Sequence, residues 1–93
     1  MQTVTVVIPI HNEEPSILPL YDRLTAVMER LARPYEIIFV DDASTDDSVA
    51  VARKFASRDT RINVIENSTN KGQTACLNEG LAACRGRWVA RQD

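Results

Sequence analysis

The sequence predicts an α/β fold in which a mostly parallel sheet is covered by helices, with the order βαβαβαβ. Short apolar runs rich in β-branched residues alternate with longer segments whose apolar residues recur every three or four positions. The connections between these segments are short, which favours parallel strands joined by right-handed crossovers. One apolar run ends in two adjacent aspartates, a pattern typical of a buried strand that leads into a binding site.

The first strand is predicted over residues 3–10, where nearly every position is apolar and most are β-branched. Such a run is typical of a strand covered on both faces, and Pro9 stands near its end, where a missing N–H costs least. A helix is predicted over residues 16–31, with Pro15 in its first turn and Pro34 beyond its end. Its apolar stripe comprises Ile17, Leu20, Tyr21, Leu24, Val27, Met28 and Leu31.

The second strand is predicted to begin at Tyr35 and to lead into a polar turn that holds Asp41 and Asp42. We expect both carboxylates at the carboxyl edge of the sheet, where ligands of open α/β sheets bind. The alternative interpretation is a turn followed by a helix cap, without a ligand.

The second helix is predicted to follow that turn and to extend to about Ser57. Ser44 or Thr45 is the predicted N-cap, with Asp46 and Asp47 in the first turn, where the macrodipole favours negative charge. The residues predicted to face the core are Val49, Ala52, Phe55 and Ala56.

The remaining elements are a third strand over residues 61–66, a loop over residues 67–72, a third helix over residues 73–84 and a fourth strand from Trp88. The third strand alternates in polarity and is therefore expected near an edge of the sheet. Gly86 is placed to end the third helix, and Gly80 within it predicts close packing of helix on sheet. Together these elements form a Rossmann-like three-layer α/β/α sandwich.

Length and composition restrict the class of protein. A length of 93 residues and a hydrophobic content of 44% predict one small domain, residues 1–93. The net charge of −2 argues against a nucleic-acid-binding protein. We find no apolar run of membrane-spanning length and expect a cytoplasmic protein, with any membrane association through other parts. Cys76 and Cys84 lie roughly 12 Å apart along one helix, which predicts reduced thiols.

The last predicted strand has no helix after it, so that one face of the sheet should lack its cover. We therefore expect these residues to be part of a longer protein, and self-association through the truncated sheet to be a risk.

Four segments of the chain carry a resemblance to a known family. They are residues 6–14 (VVIPIHNEE), residues 40–46 (VDDASTD), the pair formed by residues 70–72 (NKG) and 78–80 (NEG), and residues 86–93 (GRWVARQD). In this order and spacing they resemble the N-terminal, nucleotide-sugar-binding half of a family 2 glycosyltransferase with the GT-A fold. The resemblance covers essentially the whole chain.

The resemblance implies a nucleotide site at the ends of the first two strands. Pro9, His11, Asn12 and Glu13 would border the base, and His11 stands where relatives commonly have an aromatic residue, usually Tyr. An imidazole can still stack on a base, although with a smaller contact area. The alternative for His11 alone is a solvent-exposed loop residue.

The resemblance assigns the base contact to Asp42, because uracil and guanine present ring N–H donors that a carboxylate can accept. Asp41 would brace the turn or approach the ribose. Lys71 and Gly72 would lie near the diphosphate, where Gly72 permits close backbone approach. For Lys71, an exposed loop lysine that serves only solubility remains the alternative.

Asp93 matches the first carboxylate of the family's Asp-x-Asp motif, which implies a Mg²⁺ or Mn²⁺ ligand. The implied reaction transfers a sugar, with inversion, from a UDP- or GDP-sugar to a hydroxyl of a glycan or lipid-linked acceptor, as in bacterial envelope or exopolysaccharide synthesis. The general base lies outside these residues, so the chain alone is expected to be inactive.

Two other classes stay open at this point. The first is a flavodoxin-like signalling domain, although the end of the third strand, Glu66-Asn67, fits a phosphoacceptor poorly. The second is a non-enzymatic assembly module that recruits a partner through an exposed sheet edge.

Overall fold

The computed structural model describes residues 3–83 in full and the backbone of residues 88–91. Strands and helices alternate in the predicted order. They are β1 (Val4–Ile10), α1 (Glu14–Leu31), β2 (Tyr35–Asp42), α2 (Ser48–Arg58), β3 (Ile62–Asn67), α3 (Gln73–Ala83) and β4 (Trp88–Arg91).

The described strands form one parallel sheet in the order β3-β2-β1-β4. The chain first adds strands on one side of β1 and then crosses to its other side for β4, so that the strand order reverses at β1. In open α/β sheets, the carboxyl edge at such a reversal is the usual place for a ligand. As predicted, β3 lies at an edge.

The helices cover both faces of the sheet. On one face, Ile8 and Phe39 form a core with Ile17 of α1 and Ala52 of α2. On the other face, a smaller core joins Val7, Ile38 and Val40 to Cys76 and Leu77 of α3. The burial of β1 and β2 on both sides confirms the interpretation of their continuous apolar runs.

Helix α1 begins at Glu14, two residues before the predicted start, and continues through Pro19. It ends at Leu31, and the following residue Ala32 is left-handed (φ 53°) and donates its N–H to the carbonyl of Glu29. Val27 and Leu31 of the predicted stripe are exposed. Val27 lies at the flank of the stripe and Leu31 is the last residue of the helix, so neither faces the centre of the sheet.

Helix α2 begins later than predicted, and the expectation of acidic residues in its first turn is wrong. Asp46 precedes the helix, and its carboxylate accepts hydrogen bonds from the N–H (2.9 Å) and hydroxyl (2.5 Å) of Ser48. Ser44 does not cap the helix, because its hydroxyl bonds instead to the carboxylate of Asp41. Hydrogen bonds within the turn between β2 and α2 thus replace the predicted capping pattern.

Gly80 allows α3 to pack closely against the sheet. A Cβ atom at this position would lie 2.2 Å from Cγ1 of Val7 on β1, closer than van der Waals contact allows. The absence of a side chain therefore permits the close approach of α3 to β1, as the sequence predicted.

Cys76 is buried and carries a free thiol. Cys84, Gly86 and Asp93 lie outside the described residues, so the predictions made for them are not tested. Among the helices that the structure describes, none is both long and apolar enough to cross a membrane.

Candidate functional site

A pocket of about 300 Å³ opens at the carboxyl edge of the sheet. It is formed by the end of β1, the end of β2, the loop that follows β3 and the first turns of α3. A second cavity of about 200 Å³ adjoins it along α1, and Pro9, Glu13 and Gln73 line both. The residues lining the larger pocket are Pro9, Ile10, His11, Glu13, Asp42, Asn70, Gly72, Gln73 and Cys76.

Asp42 is the only aspartate among these lining residues and is 6% exposed. Its Oδ1 accepts the backbone N–H of Lys71 at 2.7 Å, and its Oδ2 accepts that of Gly72 at 2.9 Å. The hydrogen bond from the N–H of Lys71, with that of Gly72, outweighs burial and holds the pKa of Asp42 below its ordinary value. The pocket therefore contains an ionised carboxylate at neutral pH.

Cys76 lies beside this carboxylate. Burial, together with the negative charge of Asp42, raises the pKa of the thiol to about 11. A thiol with such a pKa is almost entirely protonated at neutral pH, so that Cys76 is a packing residue of the pocket and not a nucleophile.

Asp41 is 1% exposed and does not line the pocket. Its two oxygens accept the hydroxyl of Ser44 at 2.5 Å and the N–H of Ser44 at 3.0 Å. The two adjacent aspartates thus point to different partners: Asp41 closes the turn after β2, and Asp42 contacts the loop after β3.

Asn12 joins the loop after β1 to the loop after β2. Its backbone is left-handed (φ 52°), a conformation that Asn tolerates, and its Oδ1 accepts the N–H of Thr45 at 2.7 Å and that of Asp46 at 3.3 Å. The N–H of Asn12 in turn donates to the hydroxyl of Ser44 at 2.9 Å. The side chain of Asn12 therefore positions the neighbouring loop and does not line the pocket.

Glu13 lines the pocket and is anchored through its backbone. Its N–H donates to the hydroxyl of Ser48 at 3.0 Å, and its carboxylate accepts the N–H of His11 at 3.3 Å. Ser48 is fully buried at the start of α2, so it connects α2 to the rim of the pocket.

The ring of His11 is oriented by the backbone of β2. Its Nδ1 lies 2.7 Å from the carbonyl oxygen of Asp42, and because a carbonyl only accepts, Nδ1 carries the proton and donates. In the neutral ring Nε2 is then an acceptor, which matches the amide nitrogen of Asn12 at 3.4 Å. His11 contributes to the pocket wall in this fixed orientation.

Lys71 contacts the site through its backbone only. Its N–H bonds to Asp42, whereas its ammonium group lies 3.5 Å from the carboxylate of Glu79, and its side chain does not line the pocket. Glu79 also accepts the amide of Asn67 at 2.7 Å. Gly72, in contrast, lines the pocket with a positive φ of 89°, which explains the need for glycine.

Sequence reasoning did not identify four lining residues: Ile10, Asn70, Gln73 and Cys76. Asn70 and Gln73 flank the Lys71-Gly72 pair that the sequence did single out, so proximity to that pair was the available signal. Cys76 follows one helical turn after Gln73. Nothing in the local pattern distinguished Ile10 from the other apolar residues of β1.

Within residues 3–83, no group of three or more His, Cys, Asp or Glu side chains is arranged to hold a metal ion. The one metal ligand that the sequence suggests, Asp93, lies beyond this part of the chain.

Comparison with known proteins shows which proteins this chain is similar to. The dodecaprenyl-phosphate galacturonate synthase of Rhizobium johnstonii is 40% identical over 91 residues, which cover 97% of this chain and 27% of that protein. The undecaprenyl-phosphate 4-deoxy-4-formamido-L-arabinose transferase of Pseudomonas fluorescens is 38% identical, with the same coverage of each chain. This chain thus spans about a quarter of the length of these relatives.

A solved structure is also similar: the mannosyltransferase PcManGT of Pyrobaculum calidifontis, in complex with GDP-Man and Mn²⁺. It superposes with a TM-score of 0.74 and 30% identity over 92% of this chain and 25% of its own. The fold is therefore the corresponding part of a GT-A glycosyltransferase. The sequence matches Glycosyl transferase family 2 over residues 5–93. The chain therefore belongs to glycosyl transferase family 2.

Proposed function

We propose that this chain is the donor-binding part of an inverting glycosyltransferase that uses a UDP- or GDP-sugar. The observation that carries the proposal is the ionised, almost fully buried carboxylate of Asp42 in a pocket at the carboxyl edge of a parallel sheet. A carboxylate in this position can accept the ring N–H of uracil or guanine. The mannosyltransferase of similar fold is described with GDP-Man, which supports a nucleoside diphosphate sugar as the ligand.

The pocket residues have distinct roles in this proposal. Asp42 accepts the base N–H, the ring of His11 and the face of Pro9 border the base, and Glu13 closes the rim. Gly72 brings backbone close to the nucleotide. Asn12 and Asp41 act indirectly, because their hydrogen bonds hold the surrounding loops. Lys71 would approach the diphosphate only if its ammonium group left Glu79.

We assign Asp93 as a ligand of Mg²⁺ or Mn²⁺. A carboxylate oxygen suits both ions, and the similar mannosyltransferase is described with Mn²⁺. Such an ion would neutralise charge on the departing nucleoside diphosphate.

The acceptor would be a hydroxyl of a glycan or a lipid-linked group, in bacterial envelope or exopolysaccharide synthesis. The names of two relatives, which contain dodecaprenyl phosphate and undecaprenyl phosphate, support a lipid-linked acceptor. We place this part of the enzyme in the cytoplasm. We expect the 93-residue chain to bind donor without transferring sugar, because no general base can be assigned among the described residues.

Calorimetric titration of the chain with UDP and with GDP, each with and without Mn²⁺, tests the proposal. We expect binding of at least one of them, strengthened by Mn²⁺. Failure of both nucleotides to bind at millimolar concentration, or specific tight binding of an unrelated ligand, would overturn it.

Self-association through the sheet edges is a second, independent proposal about this chain. Among the strands that the structure describes, β3 has a neighbour on one side only, and a second copy of the chain could extend the sheet at its outer edge. Size-exclusion chromatography with light scattering measures it, and a monomer at all concentrations would contradict it.

A further inference from the structure

The side chains of two pocket residues accept a hydrogen bond from the same backbone N–H. The N–H of Gly72 donates to Oδ2 of Asp42 at 2.9 Å and to Oδ1 of Asn70 at 3.2 Å. Both side chains line the same pocket, Asp42 almost fully buried and Asn70 exposed. The carboxylate and the amide are therefore neighbours, one deep in the pocket and one at its rim.

The shared hydrogen also determines how the amide of Asn70 is turned. Because the N–H of Gly72 is a donor, the amide oxygen must face it, and the NH₂ group of Asn70 points elsewhere. Among the described residues this NH₂ group has no hydrogen-bond partner. Each oxygen of Asp42 accepts one backbone N–H, and a ligand would share the remaining acceptor capacity of the carboxylate with the side chains of Cys76 and Asn67. The pocket thus presents an acceptor next to a donor.

We infer that Asn70 is a specificity-determining residue, which donates its NH₂ group to the base carbonyl adjacent to the ring N–H that Asp42 accepts. The inference rests on the proposed function and names the base class as an oxo base. Uracil offers N3–H beside O4, and guanine offers N1–H beside O6, so either matches the pair of Asp42 and Asn70. Cytosine or adenine in the same position presents a ring acceptor to Asp42 and an amino donor to the NH₂ of Asn70, a mismatch at both points.

Competing bases on an identical diphosphate provide the test. We expect the chain with Mn²⁺ to bind UDP about tenfold or more tightly than CDP, or GDP than ADP by the same margin, since each mismatch leaves a polar group unpaired. Equal affinities for an oxo base and its amino counterpart would overturn the inference together with the base contact assigned to Asp42, while the proposed binding of a nucleoside diphosphate would stand. Absence of binding by all four nucleotides would overturn both.

The variant Asn70→Asp separates base recognition from a structural role. A carboxylate at this position still accepts the N–H of Gly72, but it repels O4 of uracil or O6 of guanine and attracts the amino group of cytosine or adenine. We expect the ratio of the affinity for UDP to that for CDP, or for GDP to that for ADP, to fall about tenfold or more. The added negative charge weakens the binding of all four diphosphates equally and so leaves this ratio unaffected. An unchanged ratio would show that Asn70 serves the loop alone.

The variant Asn70→Ala provides a second readout. It removes the donor without adding charge, so we expect the affinity for the preferred oxo nucleotide to fall about fivefold to tenfold, with that for CDP or ADP unchanged. An equal loss for all nucleotides would contradict the assignment. Hydrogen exchange of the Gly72 amide in each variant reports whether the loop stays in place.

Discussion

At the amino end of the sheet the carboxylate of Asp59 is paired with a cation, whereas at the carboxyl end Asp41 and Asp42 accept hydrogen bonds from neutral donors. Asp59 accepts hydrogen bonds at 2.9 Å from Nε and from Nη2 of Arg61, and a third at 3.0 Å from the hydroxyl of Tyr21. The guanidinium also lies 4.3 Å from the ring centroid of Tyr35. Asp42, in contrast, accepts two backbone N–H groups. Within residues 3–83, the recorded ion pairs do not include it.

The contrast indicates that Asp59 contributes to the stability of the fold and that Asp42 is available to bind a ligand. Side-chain hydrogen bonds from Arg61 lower the pKa of Asp59 to about 2, and the pair neutralises its own charge. Neutral donors also lower the pKa of Asp42, but they leave its negative charge uncompensated. An uncompensated carboxylate in a pocket remains able to accept a hydrogen bond from a ligand, so we expect mutations at the two ends to affect different properties.

The largest expected effect is on nucleotide affinity when Asp42 is changed to Asn. The amide removes the charge and turns its NH₂ group toward a backbone N–H, so we expect UDP or GDP to bind about 30-fold more weakly, on the order of 2 kcal/mol. Calorimetric titration measures the loss, with the exposed Asp47→Asn as a charge-matched control. A loss of the same size in the control would show that only overall charge matters.

Asp59→Asn should affect stability instead of binding. The amide removes the negative charge that pairs with Arg61 and keeps only one acceptor oxygen for Arg61 and the hydroxyl of Tyr21, and we expect a loss of about 1–2 kcal/mol in the free energy of unfolding, with allowance for the partly exposed guanidinium. Urea unfolding measures this loss, and nucleotide affinity should stay the same. A reduced affinity at unchanged stability would reverse the roles that we assign to the two ends.

The acid dependence of unfolding should reflect the same pair. The folded-state pKa of Asp59 is about 2, below its ordinary value of 3.8, so its stabilisation is complete above pH 3.8 and is lost as the pH falls through about 2. We expect the free energy of unfolding to decrease across this window, and Asp59→Asn to make the decrease shallower. Urea titrations at a series of pH values test this, and parallel curves for the two proteins would contradict it.

A smaller effect is expected on the reactivity of Cys76. Burial is the main cause of its raised pKa and the charge of Asp42 the second, so Asp42→Asn should lower this pKa and speed alkylation at pH 8 about threefold to tenfold. The experiment uses a Cys84→Ser background so that one thiol is followed. Asp47→Asn, which removes an exposed carboxylate outside the pocket, is the control, and equal acceleration there would show that the charge of Asp42 has no special effect on this thiol.

The smallest effect is expected for Lys71→Met. Its ammonium group pairs with Glu79 at 3.5 Å with both side chains partly exposed, and such pairs contribute less than about 1 kcal/mol. The backbone N–H that binds Asp42 is retained, so unfolding and nucleotide affinity should both stay close to those of the unchanged protein. A tenfold weaker affinity for UDP or GDP would instead place Lys71 at the diphosphate.

Much of this architecture could be predicted from local patterns. The unbroken apolar run of β1 indicated burial on both faces, the alternation in β3 indicated an edge strand, and Gly80 indicated close packing of helix on sheet. Each of these features depends on the periodicity or size of neighbouring side chains. The start of α2 could not be predicted, because Ser44 and Ser48 bond to partners in other loops.

The candidate site was predictable in part. The position of Asp42 at the end of a buried strand followed from the sequence. The positive φ of Gly72 did not, because the sequence analysis explained this glycine by close backbone approach to the ligand. The sequence analysis expected Asp41 to brace the turn or approach the ribose, and its hydrogen bonds to Ser44 correspond to the first alternative. That Asp42 turns to the loop after β3 did not follow from the sequence, because its partners there are distant along the chain. Asn70 belongs to a segment that the resemblance singled out, residues 70–72, but the sequence analysis assigned it no role in the site.

Strands, helices and their order are thus readable in the amino-acid sequence, because hydrophobic periodicity is a property of near neighbours. The partners of the polar side chains are not, because Asp42 meets Lys71 and Gly72 across 29 and 30 residues. Parallel strands bring such distant loops to the same edge, and the crossing of the chain to the far side of β1 sets which loops meet there. The pocket therefore depends on the folded topology. The local sequence determines which residues lie at the edge of the sheet, and hydrogen bonds between distant residues determine how their side chains are oriented.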